Sequence, residues 1–148
     1  MRRAKRWFIW AMTTMVLFSA TGVMADADIV QDRAGRRIQA QTPFSRIISL
    51  YGAHTRNLIS LGLNAQIIGV CPSDLATGKP VFSYHDGLEK FLAAQPDLVL
   101  VRPMIDRGYP KLMAGLARAG ITVASFQPSN IAAVFDYWMA LGRLTGQT

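Results

Sequence analysis

Apolar and polar residues change rhythm along this chain, and each change predicts an element. Residues 7–20 form an apolar run interrupted only by Thr13, Thr14 and Ser19. Residues 28–40 read as two short strand-like pieces around a turn at 32–36. Gly35 suits a positive φ there, so a β-hairpin is expected. Thr42-Pro43 then breaks the chain. From residue 46 onward, short apolar runs alternate with amphipathic segments. Residues 47–50, 67–70, 98–101 and 121–126 predict four buried strands. Residues 54–62, 88–94 and 108–119 predict helices, ended by Gly62, Pro96 and Gly120. Ser129 suits the cap of a last helix with Ile131, Val134, Phe135, Trp138, Leu141 and Leu144 at apolar positions. Residues 71–86 contain Pro72, Gly78 and Pro80 and read as a long loop. Such a loop is usually functional or carries a short element of its own.

Continuous apolar strands separated by helices predict an α/β fold, a Rossmann-like lobe. Its parallel sheet has about four strands flanked by helices and is preceded by the β-hairpin. Right-handed crossovers gather the loops that follow the strands along one edge, where open α/β sheets bind ligands. The candidate surface is therefore residues 51–55, 71–86, 102–109 and 127–130.

Composition narrows the class. The chain has 148 residues, of which 51% are hydrophobic and 17% charged, so a disordered chain is excluded. The formal charge is +7, but Arg2, Arg3, Lys5 and Arg6 crowd the first six residues. Residues 26–148 carry 12 basic and 9 acidic side chains, a formal +3. That excess does not suggest nucleic acid, which calls for a basic patch or stripe. The basic start, the apolar run and Val23-Met24-Ala25 make the three-part secretory pattern, so residues 1–25 read as a signal peptide. A retained anchor is the alternative, though the run is short for a membrane span. The mature chain is expected to start near Asp26 and to be periplasmic. A lone cysteine, Cys71, excludes an internal disulfide and reads as a buried small hydrophobe. There is no GxGxxG after a strand, no GxxxxGK[ST], no HExxH and no GxSxG. His54 and His85 form no metal-ligand spacing. Neither an enzyme nor a resident cofactor or metal is expected.

Four segments carry a resemblance. DRAGRRIQ resembles an opening hairpin of the form D-x-x-G-R-x-V. RIISLYGAHTRNLISLGLNAQIIGV resembles a first βαβ unit, GLEKFLAAQPDLVLVRP an N-L-E-x-I-L-A-L-K-P-D-L-V-L segment, and ARAGITVASFQPSNI an L-x-x-x-G-I-x-V strand. In this order and spacing they resemble the substrate-binding proteins of ABC importers for iron–siderophore, haem and cobalamin. These are the type with one helical backbone between two lobes. The resemblance runs from about residue 28 to the end. It implies a hairpin and lead-in over 26–45 and an N-terminal α/β lobe over 46–148, with the second lobe missing. It also implies capture of an iron complex, haem or corrinoid and delivery to an ABC permease in the inner membrane. A stand-alone single-lobe haem or chelate carrier, or a truncated product without function, stay open. Thr55-Arg56 stands where the family usually has Thr-Glu, so any role of that glutamate is lost.

Individual residues carry two readings each. Leu88-Glu89 matches the family motif whose glutamate docks on permease arginines; Glu89 otherwise favours the helix dipole. Tyr84 and His85 end the long loop. The family's haem binders carry a tyrosine near this place, and phenolate suits ferric iron. The plainer reading is an aromatic lid, with His85 a surface histidine. Tyr51 and His54 flank Gly52 after the first strand and face either ligand or their own helix. Arg102 and Arg107, after the third strand, either bind ligand carboxylates or sit in a solvated loop with an Asp106–Arg107 surface pair. Phe135, Tyr137 and Trp138 read as core or lobe-interface packing.

Overall fold

In the computed structural model, residues 29–147 are described, so the expected signal peptide lies outside the described residues. Strands β1 (Ile29–Gln31) and β2 (Arg37–Gln39) pair antiparallel, with Gly35 at φ +80° in the turn. Then come β3 (Ile47–Ser49), α1 (Gly52–Ser60) and β4 (Ile67–Val70). A 3₁₀ turn over Pro72–Thr77 interrupts the long loop and is followed by α2 (Leu88–Ala94) and β5 (Leu98–Val101). The chain continues through α3 (Pro103–Gly108), α4 (Pro110–Arg118), β6 (Thr122–Ser125) and α5 (Ile131–Thr145). The four later strands form one parallel sheet in the order β4-β3-β5-β6, as the apolar pattern predicts.

Burial on both faces explains the sequence of β5. Leu98 and Leu100 pack on one side with Leu58 of α1 and Tyr137, Leu141 and Leu144 of α5. Val99 and Val101 pack on the other with Phe91 of α2, Ile105 of α3 and Leu116 of α4. All four are fully buried, which contributes about 1.5–3 kcal/mol for each large side chain. The hairpin adds Val30 and Ile38 to the first of these cores.

One side chain clamps the hairpin to the sheet. Asp32 is 6% exposed, and its Oδ1 accepts from the backbone N–H of Ala34 and Arg36. Its Oδ2 accepts from Arg36 Nε and from the N–H of Ser125 at the end of β6. Arg36 then reaches Asp106 with both terminal nitrogens, at 3.1 and 2.7 Å.

Three local expectations change. A single helix over residues 108–119 is replaced by α3 and α4, and residues 103–108 are helical rather than loop. Pro103 and Pro110 each open a helix, and Pro110 pushes Tyr109 out of helical geometry, to φ −128°, ψ 53°. The cap of α5 is Asn130, whose side chain accepts from Ala133 N–H; Ser129 accepts from Arg33 instead. Asp106 pairs with Arg36 rather than Arg107, because adjacent residues on a helix do not face each other.

Candidate ligand-binding site

The chain leaves β3 for β4 on one side and returns to β5 on the other. The strand order therefore reverses between β3 and β5, and a crevice opens beyond their carboxyl ends. Tyr51 follows β3 there and Arg102 follows β5. A cavity of about 580 Å³ occupies this place, and Tyr51, Tyr84, His85 and Arg102 all line it.

The floor is built from hydroxyls and one imidazole. Thr55 Oγ1 donates to Ser49 Oγ (2.9 Å), which donates to the Tyr51 carbonyl (3.0 Å), fixing the β3–α1 turn. His54 is 1% exposed and lies beneath the cavity rather than on its surface. Its Nε2 is 3.0 Å from the Val101 carbonyl, which only accepts, so Nε2 carries the proton. Nδ1 therefore accepts from the Tyr137 hydroxyl at 2.6 Å. Burial lowers the His54 pKa to about 4, outweighing the Val101 bond that favours the charged form, and keeps the ring neutral near pH 7. Burial likewise pushes the Tyr137 phenol up. One imidazole thus joins α1, the end of β5 and α5.

Arg102 lies on this floor. Its guanidinium carbon is 5.0 Å from the Tyr51 ring centroid, a cation–π distance, and Tyr51 packs edge-on against His54. Nη2 meets the Met104 sulfur at 3.6 Å, while Nε is buried without a partner. Among the described residues no carboxylate pairs with this guanidinium, so its charge is left for an oxyanion.

The opposite wall is aromatic. Tyr84 packs at a tilt against His85 and Tyr109, with ring centroids 4.5 and 4.7 Å away; Tyr84 and His85 line the cavity and Tyr109 backs them. The Tyr109 hydroxyl sits 3.3 and 3.4 Å from the two ring nitrogens of His85. Phe82 anchors this wall: its N–H donates to the Val70 carbonyl, and its ring covers Gly69, where a Cβ would clash with it. Gly52 allows another close approach, since a Cβ there would sit 3.0 Å from Asp74 Oδ1 in the 3₁₀ turn. Cys71 also lines the cavity. Its sulfur contacts Ser73 Oγ and Asp74 Oδ2, and burial pushes the thiol pKa up, so it is no nucleophile near pH 7.

Arg107 and Glu89 stand outside this cavity. Arg107 lines a smaller one beside it, with Arg33 and Ser129. Glu89 is exposed in the first turn of α2. Tyr137 joins the core as expected, but Phe135 and Trp138 stay 60% and 44% exposed, and Trp138 donates to Asn57. Sequence reasoning did not single out Arg56 as part of the site. Arg56 was visible only as a departure from the Thr-Glu pattern, and it lines the cavity 4.0 Å from Asp74. Tyr109 closed the expected segment 102–109 of the ligand edge, but its contacts with Tyr84 and His85 left no local signal, because those partners are distant in sequence.

No protein-family model matches the chain, and no curated protein matches it. Solved structures do. One is described as a possible iron-binding, periplasmic solute-binding protein from Staphylococcus epidermidis. It is 28% identical with a TM-score of 0.63, over 72% of this chain and 44% of that one. The heme binding protein HmuT matches at 21% identity and a TM-score of 0.68, over 94% of this chain and 47% of its own. The periplasmic heme binding protein HutB of Vibrio cholerae matches at 21% and 0.59, over 69% and 41%. The chain thus spans less than half the length of each. Its fold is that of one lobe of the periplasmic solute-binding proteins. The first is described as a possible iron-binding protein and the other two as heme-binding proteins, in line with the resemblance and the non-enzymatic reading drawn from the sequence.

Proposed function

We propose that this chain captures an anionic iron complex, a haem or a corrinoid in the periplasm and presents it to an ABC permease in the inner membrane. The observation that carries the reading is the cavity at the strand-order reversal, lined by Arg102, Tyr51, Tyr84 and His85. Arg102 on one side and the aromatic rings of Tyr84 and His85, backed by Tyr109, on the other suit an aromatic chelate with acid groups. The cargo brings its own metal. Tyr84 serves as wall and lid, and no resident cofactor is involved. Glu89, exposed on α2, supplies the carboxylate for permease arginines.

Equilibrium dialysis against haemin, ferric siderophores and cobalamin, read by visible absorbance, tests this. One-to-one retention of one compound is expected. No retention of any by a folded chain would overturn the reading. Tyr84→Phe is expected to leave the spectrum of bound haemin unchanged. A lost Soret shift would instead make the phenolate the axial ligand.

A further inference from the structure

A second cavity, of about 330 Å³, lies along the same edge of the sheet and touches the first through consecutive residues. Arg102 lines the large cavity, and Pro103 lines this one. Its other walls are Arg33 of the hairpin turn, Arg107 of α3, and Gln127, Pro128 and Ser129 before α5. We infer that Arg33 and Arg107 form an oxyanion site here, for a carboxylate or phosphate group.

Three observations carry this. First, Arg33 is oriented without being neutralised. Its Nε donates to the Gln127 carbonyl (3.3 Å) and Nη2 to Ser129 Oγ (2.9 Å), both uncharged acceptors. Its remaining N–H groups are left for a ligand. Second, the acids next to these arginines in sequence are engaged elsewhere. Asp32 is saturated by three backbone N–H groups and Arg36, and Asp106 is held by both terminal nitrogens of Arg36. Among the described residues, no carboxylate lies within ion-pair distance of Arg33 or Arg107. Third, the two elements that bring the arginines together are tied: Arg33 N–H donates to the Ser125 carbonyl, and Arg36 bridges the hairpin to α3. Two guanidinium-bearing residues lining one recess match an oxyanion better than a neutral group.

The oxyanion has two sources: a free small anion, or an acid arm of a chelate seated in the large cavity. The second rests on the proposed ligand-capture function; the site itself does not. Citrate and inorganic phosphate are titrated into the full chain, and the arginine Nε–H signals are followed by NMR. Saturable shifts at Arg33 and Arg107 are expected, retained in Arg102→Gln and lost in Arg33→Gln/Arg107→Gln. Arg107→Gln alone, at an exposed position without partners, serves if the double variant misfolds. Absence of saturation, or equal shifts at Arg118 and Arg143, would overturn the site.

Haemin and its dimethyl ester then separate the sources. A preference for the free acid of about tenfold or more, lost in the double variant, assigns the site to a cargo arm. A preference unaltered by the double variant assigns it to a free anion. If the wild type binds no haemin but citrate still shifts Arg33 and Arg107, that arm counts against the proposed cargo while the oxyanion site stands.

Discussion

Arg102 and His54 show how much depends on single side chains. Arg102 lines the cavity with no carboxylate partner among the described residues, so a ligand oxyanion meets an unneutralised guanidinium there. Arg102→Gln is expected to weaken binding of an acidic cargo by about tenfold or more, measured in the dialysis assay, with little change in unfolding midpoint. His54 has the opposite character, since both its ring nitrogens are engaged below the cavity. His54→Leu removes the imidazole partner of the buried Tyr137 hydroxyl, while the Val101 carbonyl keeps the Phe126 N–H. Urea unfolding is expected to show a loss of about 2–4 kcal/mol. Were the loss below that range, the network would be less buried than its geometry indicates.

Among elements, the hairpin and the α3–α4 break matter most to the site. The hairpin is only two three-residue strands, too small to be stable alone. Asp32 anchors it, and the anchored turn presents Arg33 to the ligand edge. Asp32→Ala leaves the buried Ser125 N–H and the half-buried N–H groups of the turn without their acceptor. It should cost about 2–4 kcal/mol and raise hydrogen exchange in residues 29–39 more than in β5. Equal exchange throughout would show that the hairpin does not open as a separate unit. The α3–α4 break places Tyr109 against Tyr84 and His85, which one continuous helix would not. Its two prolines were visible in the sequence, yet the helical pattern of residues 110–118 drew the expected start back to Gly108.

At the scale of the molecule, acid should loosen the lobe. The His54 pKa is about 4 when folded, against 6.5 for an unperturbed histidine. Below pH 6.5 the unfolded chain binds a proton that the folded chain refuses. Stability is therefore full above pH 6.5 and falls as pH drops toward 4, by about 3 kcal/mol from this group. Denaturant midpoints across that window check this, and His54→Leu should flatten the slope. Because His54 joins α1, β5 and α5 under the cavity, cargo affinity is expected to fall over the same window.

Much of this architecture follows from local pattern. Four apolar runs specify the strands, because a parallel sheet covered on both faces needs continuous apolar residues. Residues 67–70, 88–94 and 98–101 match their elements to the residue. Alternating strand and helix then place the loops on one edge, where Tyr51, Tyr84, His85 and Arg102 line one cavity. What the pattern leaves open is which side chains meet. His54 turns inward to residues 47 and 83 positions away, Asp106 finds Arg36 rather than its neighbour, and Arg33 joins Arg107 across the β6–α5 loop. Those pairings depend on strand order and crossover hand, which bring distant segments together. Periodicity records only whether a side chain faces the core or the solvent, so the core was legible and the polar partnerships of the site were not.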